Sequence, residues 1–160
     1  MNYYIAQYGK RLFGLCIKIC TNLQEAEDLY QETWLKAYQY IERYDESKPF
    51  EAWITTICIN TYRDMLRKNK FKHLFAQFQT NEEKDYVLQS VSTVANEEYA
   101  DLKEAIRALP EKYQVLVVLH YYNGYDIKTI SSVLHLSEGT VKSRLFKARS
   151  QLRRWLDDDR

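Results

Sequence analysis

The chain has 160 residues, 46% of them apolar, with a formal net charge of +1 and only 4 glycines and 2 prolines. That length holds one domain or two small ones with real cores, and scarce Gly and Pro favour long helices over short strands. A net charge this small excludes nucleic-acid binding driven by overall charge, and no run approaches the roughly 18 apolar residues of a membrane span.

Charge is unevenly placed. Arg63 to Lys72 holds five basic residues against Asp64, whereas Glu82 to Glu104 is mostly acidic. Two positive patches separated by an acidic stretch suit a protein that meets nucleic acid at two places. Lys10 and Arg11 interrupt the apolar N-terminus, so no signal-peptide pattern forms and a cytoplasmic location is expected. Cys16, Cys20 and Cys58 are odd in number and lie in apolar helical stretches, which predicts buried reduced thiols. No histidine lies near Cys16 and Cys20 to complete a metal site, so neither metal nor cofactor is expected.

In chain order, Tyr3 to Cys20 repeats Ile5, Tyr8, Leu12, Leu15 and Ile19 at helical spacing. Asn22, three residues before Glu25, opens a second helix running to about Tyr40. Ala26, Leu29, Tyr30, Thr33, Ala37 and Tyr40 form its core face. Its other face carries Asp28, Gln31, Glu32 and Leu35 at i, i+3, i+4 and i+7. Such a stripe suits either a helix that docks on a partner or a solvated face with one stray leucine.

Tyr44 to Phe50 reads as a turn, and Pro49 begins a third helix ending near Lys70. Trp53, Ile54, Ile57, Thr61 and Met65 mark its buried side, and Asn60, Arg63, Arg67 and Lys68 a polar, basic one. Basic side chains beside aromatic ones are the parts needed to hold phosphates and stack bases, although a solvated helix face would look the same. Periodicity then fades, and residues 73–98 read as a linker.

Beyond it, Leu102, Ala105, Ile106 and Leu109 form a helix stopped by Pro110, which opens the next, Glu111 to Tyr122. The apolar face of that helix includes Tyr113, Leu116, Val117 and Tyr121, and Gly124 ends it. Asp126 caps a short helix with Ile127, Ile130, Val133 and Leu134 inward, and a tight turn leads to another from Glu138. Val141, Leu145, Ala148 and Leu152 are its buried seam, which leaves Thr140, Lys142, Ser143, Arg144 and Lys147 outside. Lys142 to Arg154 holds six basic residues and no acid. Two capped helices around a tight turn, the second basic, read as a helix-turn-helix.

Two blocks give the chain a family resemblance. One is Glu25–Ala37 (EAEDLYQETWLKA) with Phe50–Asn60 (FEAWITTICIN) and Asp64–Lys68; the other runs from Leu109-Pro-Glu-Lys-Tyr113 through Gly139–Arg149 (GTVKSRLFKAR). The chain resembles extracytoplasmic-function sigma factors of the sigma-70 family, which keep only regions 2 and 4. The resemblance implies an all-α fold of two small helical domains joined by a flexible linker: region 2 over 1–72, linker 73–98, and region 4 over 99–160. It implies a subunit that binds RNA polymerase core and directs promoter-specific initiation, with no chemistry of its own and no small-molecule substrate.

By the same resemblance, Asp28, Gln31, Glu32 and Leu35 would grip the clamp helices of the largest polymerase subunit, and region 4 would meet the flap. Tyr44, Phe50, Ile57 and Asn60 would surround a flipped base of the −10 element, with Arg63, Arg67 and Lys68 on the melted strand. Thr140, Lys142, Ser143, Arg144 and Lys147 would read the −35 element. Relatives are usually held inactive by an anti-sigma factor, often a membrane protein, so a similar partner is expected. The alternative is a stand-alone helix-turn-helix regulator, which predicts a dimer on palindromic sites.

Overall fold

A computed structural model of the protein describes residues 1–79 and 100–158, and every regular element among them is helical. The N-terminal half is α1 (Asn2–Ile19), α2 (Leu23–Tyr40), a 3-10 turn at Ile41–Arg43, and α3 (Phe50–Gln79). The C-terminal half is α4 (Ala100–Ala108), α5 (Glu111–Val117), α6 (Ile127–Leu134) and α7 (Glu138–Asp158). Residues 80–99, most of the expected linker, lie outside the described residues. Residues 73–79 belong to α3 instead. No Gly or Pro occurs between Pro49 and Pro110, so nothing in the chain stops that helix at Lys70.

Side-chain caps set the helix starts. Asn22 Oδ1 accepts the Glu25 amide at 2.9 Å, and the Glu25 carboxylate accepts the Thr21 amide at 3.2 Å. Asp126 Oδ1 accepts from the Thr129 amide at 2.7 Å, and Ser137 Oγ from the Thr140 amide at 3.1 Å. Between α6 and α7 the chain reverses at His135, in the left-handed region with φ 53°. The Leu136 amide donates back to the Ser131 carbonyl at 3.1 Å, and the Ser131 hydroxyl donates to the Leu136 carbonyl, which fixes the angle between the two helices.

Leu15, Ile19, Leu29, Ile54 and Ile59 are fully buried in the N-terminal half, and Leu116, Leu119, Ile130 and Leu145 in the C-terminal half. Three residues expected in the core are exposed. Ile5 lies in the first turns of α1, and Tyr40 ends α2 with Arg43 over its ring. Tyr121 is displaced by backbone winding: Val118–Tyr122 form a π-helical turn closed by the Asn123 amide on the Val118 carbonyl. The extra residue in that turn rotates Tyr121 off the seam of Tyr113 and Leu116. Trp34, not expected inside, is buried within the aromatic cluster around Phe50.

The two halves share one hydrophobic core, in which Leu15, Cys58 and Ile59 join Val115, Leu119 and Ile130. Polar contacts cross the same seam. Thr55 and Tyr125 share a buried hydroxyl–hydroxyl hydrogen bond of 3.0 Å, and Arg63 Nε pairs with Glu111 Oε1 at 3.2 Å. Arg11 donates to the Asn123 carbonyl and pairs with Glu51 at 3.0 Å. The Tyr122 hydroxyl lies directly on Gly14, where a Cβ would fall 2.1 Å from its oxygen, so a side chain at position 14 would displace the end of the Tyr122 ring from α1. A linker by itself leaves the distance between the halves open; these contacts close it.

Candidate nucleic-acid interface

The recognition face of α7 follows from what α7 buries. Val141, Leu145 and Ala148 are inaccessible. Lys142, Ser143 and Lys147 therefore face water, with Thr140 and Arg144 half-buried at the edge of the face. Ser137 and Thr140 hydroxyls lie 2.8 Å apart at the helix start, where backbone amides and the helix dipole favour an anion. The structure brings all five expected residues onto the first three turns. It adds Phe146, exposed between the lysines, which reasoning from charge alone passes over. Its signal was available: Phe146 stands four residues from Lys142, off the seam of Val141, Leu145 and Ala148.

On the other half, Asp28, Gln31, Glu32 and Leu35 line one shallow cleft of about 390 Å³ between α2 and α3. Its far wall is Thr61, Asp64, Met65 and Lys68. Gln24 donates to Asp28 Oδ1 at 3.0 Å and steadies it. Leu35 is 59% exposed in this acidic rim, an arrangement that offers an apolar anchor within a charged border. Lys36, unassigned in the sequence, ties the cleft together through a 3.7 Å ion pair to Asp64 on α3.

The residues expected around a flipped base are distributed less uniformly. Tyr44 is half-buried, and its hydroxyl donates to the Lys48 carbonyl at 2.5 Å. Asp45 Oδ1 accepts from the Ser47 amide at 3.0 Å and hydroxyl at 2.7 Å, bonds that hold its carboxyl below the usual range. These bonds give the loop a defined shape. Phe50 differs from expectation: it is 4% exposed, its ring stacked 3.9 Å from Tyr4 with Tyr44 and Trp53 around it. Tyr4 and Trp34, remote in sequence, cover it, so Phe50 supports the loop from below. Trp53, half-buried with its ring 5.0 Å from Tyr44, is the aromatic of this cluster nearer the surface.

Along α3, Asn60 is exposed and Ile57 half-buried. Arg63 is half-buried and engaged by Glu111 of the other half. Arg67 is 76% exposed and lies 2.9 Å from Asp64. Lys68 is exposed but turns toward the α2–α3 cleft, away from Asn60 and Arg63. Asn60, Arg63 and Arg67 share a face, and Arg63 is covered by the C-terminal half.

The cysteines are buried and free, with Cys16 and Cys58 sulfurs 3.8 Å apart. The hydrogen bond to Cys58, then burial, pushes the Cys16 thiol far up, and burial pushes Cys20 up to about 12. Cys16 and Cys20 are protonated packing groups at neutral pH. Among the described residues no cluster of three metal-ligating side chains occurs, and no helix is long and apolar enough to cross a membrane.

The family model for Sigma-70 region 2 matches residues 4–72, and that for Sigma-70 region 4 matches residues 99–152. The chain is 31% identical to the ECF RNA polymerase sigma factor SigW of Bacillus subtilis, over 94% of this chain and 86% of the relative. It is 30% identical to SigM of the same organism, over 91% and 88%. Its fold matches the sigma factor RpoE crystallised with the anti-sigma factor NepR from Bartonella quintana, with a TM-score of 0.78 and 22% identity, over 99% of this chain and 98% of that one. Across both matched regions, the chain belongs to the extracytoplasmic-function group of the sigma-70 family, the alternative sigma factors that direct transcription initiation.

Proposed function

We propose that this sigma factor takes hold of RNA polymerase core through the α2–α3 cleft and of promoter DNA at two points, working in the cytoplasm without chemistry of its own. The observation that carries this reading is the convergence of Asp28, Gln31, Glu32 and Leu35 on one open, acidic-rimmed cleft while α7 displays Lys142, Ser143 and Lys147 elsewhere. Region 2 is read as residues 1–72 and region 4 as 99–160. Asn60, Arg63 and Arg67, with Tyr44 and Trp53 at the loop, would hold and stack the melted strand of the −10 element. Extruding a base costs a few kcal/mol, which stacking and phosphate contacts offset. The first turns of α7 would enter the major groove of the −35 element.

This reading requires the halves to part. Elements centred near −10 and −35 are about 25 base pairs apart, or about 85 Å along the duplex at roughly 3.4 Å per step. A packed chain of this size has a radius of gyration of about 15 Å and cannot touch both. The twenty residues 80–99 reach up to about 70 Å when extended, which with the two halves is enough. Parting also frees Arg63 from Glu111. The packed arrangement is therefore a resting form, and by likeness to the RpoE–NepR pair an anti-sigma factor is the partner expected to favour it.

The test is core capture. The chain should co-elute with purified core polymerase, and Asp28→Ala with Glu32→Ala should weaken that binding about tenfold or more at low salt, with an unchanged circular-dichroism spectrum. Unaltered affinity in the double variant would remove the cleft from the polymerase interface.

A further inference from the structure

α3 continues past the point where its packing ends. From Leu66 to Lys72, about two turns, every residue is exposed, so the helix stands clear of the body of the N-terminal half. The stretch carries Arg67, Lys68, Lys70 and Lys72, and no acid follows Asp64 until Glu82. Among these cations sits Phe71, 77% exposed, more than any other large apolar side chain among the described residues.

The register of α3 decides where Phe71 lies. Eleven residues separate it from Asn60, three turns with about 20° to spare, and Arg67 stands between them at four residues from Phe71. The three side chains therefore share one line along the helix, and Trp53, two turns before Asn60, begins it. Asp64 is the acid on this line, and its carboxylate is engaged by Lys36 and Arg67. At 1.5 Å per residue Phe71 stands about 16 Å beyond Asn60. Beyond it α3 ends at Gln79, and the chain passes through residues 80–99 into region 4, whose element is the upstream one. The Phe71 end of the face is thus its upstream end.

Leu66, the other apolar side chain of the protruding turns, is about 140° away around the helix, so there is no apolar stripe on which a partner helix could lie. A single flat ring flanked by cations is instead the combination that stacks a base while its neighbours hold phosphates.

We propose that Phe71 is a further stacking residue for promoter DNA, set at the upstream edge of the melted −10 segment, where its ring covers the last unpaired base while Lys70 and Lys72 hold adjoining phosphates. The proposal rests on the two-point promoter reading and extends it: Tyr44 and Trp53 serve one end of the opened segment, and Phe71 serves the other. Opening the duplex breaks the stack at the boundary between paired and unpaired bases and leaves a base face uncovered. A ring that takes the place of the lost neighbour favours the open state. It adds little to the closed one, in which every base face is already covered. Phe71 therefore acts on melting rather than on capture of the duplex.

The test uses holoenzyme assembled from purified core polymerase and the full chain, on a promoter mapped upstream of this protein's own gene. One template is intact duplex, and a second has its −10 segment made non-complementary. On the duplex, Phe71→Ala should reduce open complexes about tenfold, read by permanganate reactivity of unpaired thymines and by run-off product. Phe71→Tyr and Phe71→Trp should retain them, whereas Phe71→Leu, apolar but without a flat ring, should not. On the premelted template, Phe71→Ala should initiate as the wild type does. The circular-dichroism spectrum and core capture should be the same in all four variants.

Wild-type levels of open complex with Phe71→Ala, or full rescue by Phe71→Leu, would overturn the stacking role. Weaker core capture by Phe71→Ala in the absence of DNA would assign the ring to the polymerase surface instead. A defect that persists on the premelted template would overturn the assignment to melting. No promoter-dependent product from the wild type would contradict the promoter reading itself, a failure distinct from an indifferent Phe71.

Discussion

Replacing Tyr125 by Phe removes one oxygen from the seam between the halves and leaves the ring in place. Tyr125 is 9% exposed, and burial raises its pKa, so the hydroxyl is a desolvated neutral group whose partner is Thr55, 2% exposed and 3.0 Å away. Deleting the bond strands the Thr55 hydroxyl in the packed form, where an unpaired buried polar group costs about 1–3 kcal/mol. Thr56 and Thr61 bond to carbonyls four residues back on α3, and the same escape is open to Thr55, which places the loss at about 1–2 kcal/mol. That lowers the ratio of packed to parted molecules about five- to thirtyfold. It also lowers the melting temperature of a shared-core unit by about 2–4 °C per kcal/mol. The assay is a double-mutant cycle of Tyr125→Phe and Thr55→Val read by thermal unfolding, with hydrogen exchange on α3 as the second readout. The two changes should be non-additive by about 1 kcal/mol or more. Additivity, with unchanged exchange around Thr55, would mean that the halves do not pack in solution and would refute the resting form.

Other consequences are simpler. Lys142→Ala with Lys147→Ala should leave the fold intact and reduce the slope of log affinity against log salt for −35 duplex by about 1 for each phosphate contact removed; an unchanged slope would take these lysines off the DNA. The Asp126 cap bond to Thr129 holds its carboxyl below the ordinary value of about 4, so its contribution to stability is full above that value and disappears as pH falls through the lower folded pKa. Asp126→Asn should therefore match the wild type near neutrality and lose less stability between about pH 4 and pH 2, measured by acid unfolding. Gly14→Ala should push Tyr122 off α1 and increase cleavage of the chain in limited proteolysis, with no effect on the isolated α2–α3 cleft; an unchanged digestion pattern would count against the close approach.

What was legible in the sequence was what is local. Asn22, Asp126 and Ser137 announce helix starts because each cap needs only an amide two or three residues away. The seam of α7 is readable because Val141, Leu145 and Ala148 repeat at helical spacing whatever they pack on. Features decided by a distant partner were not readable. Arg63 looks like any exposed base of α3 until Glu111, 48 residues on, covers it. Phe50 looks available beside a polar loop until Tyr4 and Trp34 close over it. Tyr121 fits an ideal helical face, and only the π-helical turn turns it out.

The most direct measurement is run-off transcription with purified core polymerase and the full chain, on templates upstream of this protein's own gene. The account predicts a product from one start site that is lost when either the −10 or the −35 element is scrambled, and lost with Asp28→Ala plus Glu32→Ala. No promoter-dependent product from folded protein, or a product indifferent to both elements, would contradict it.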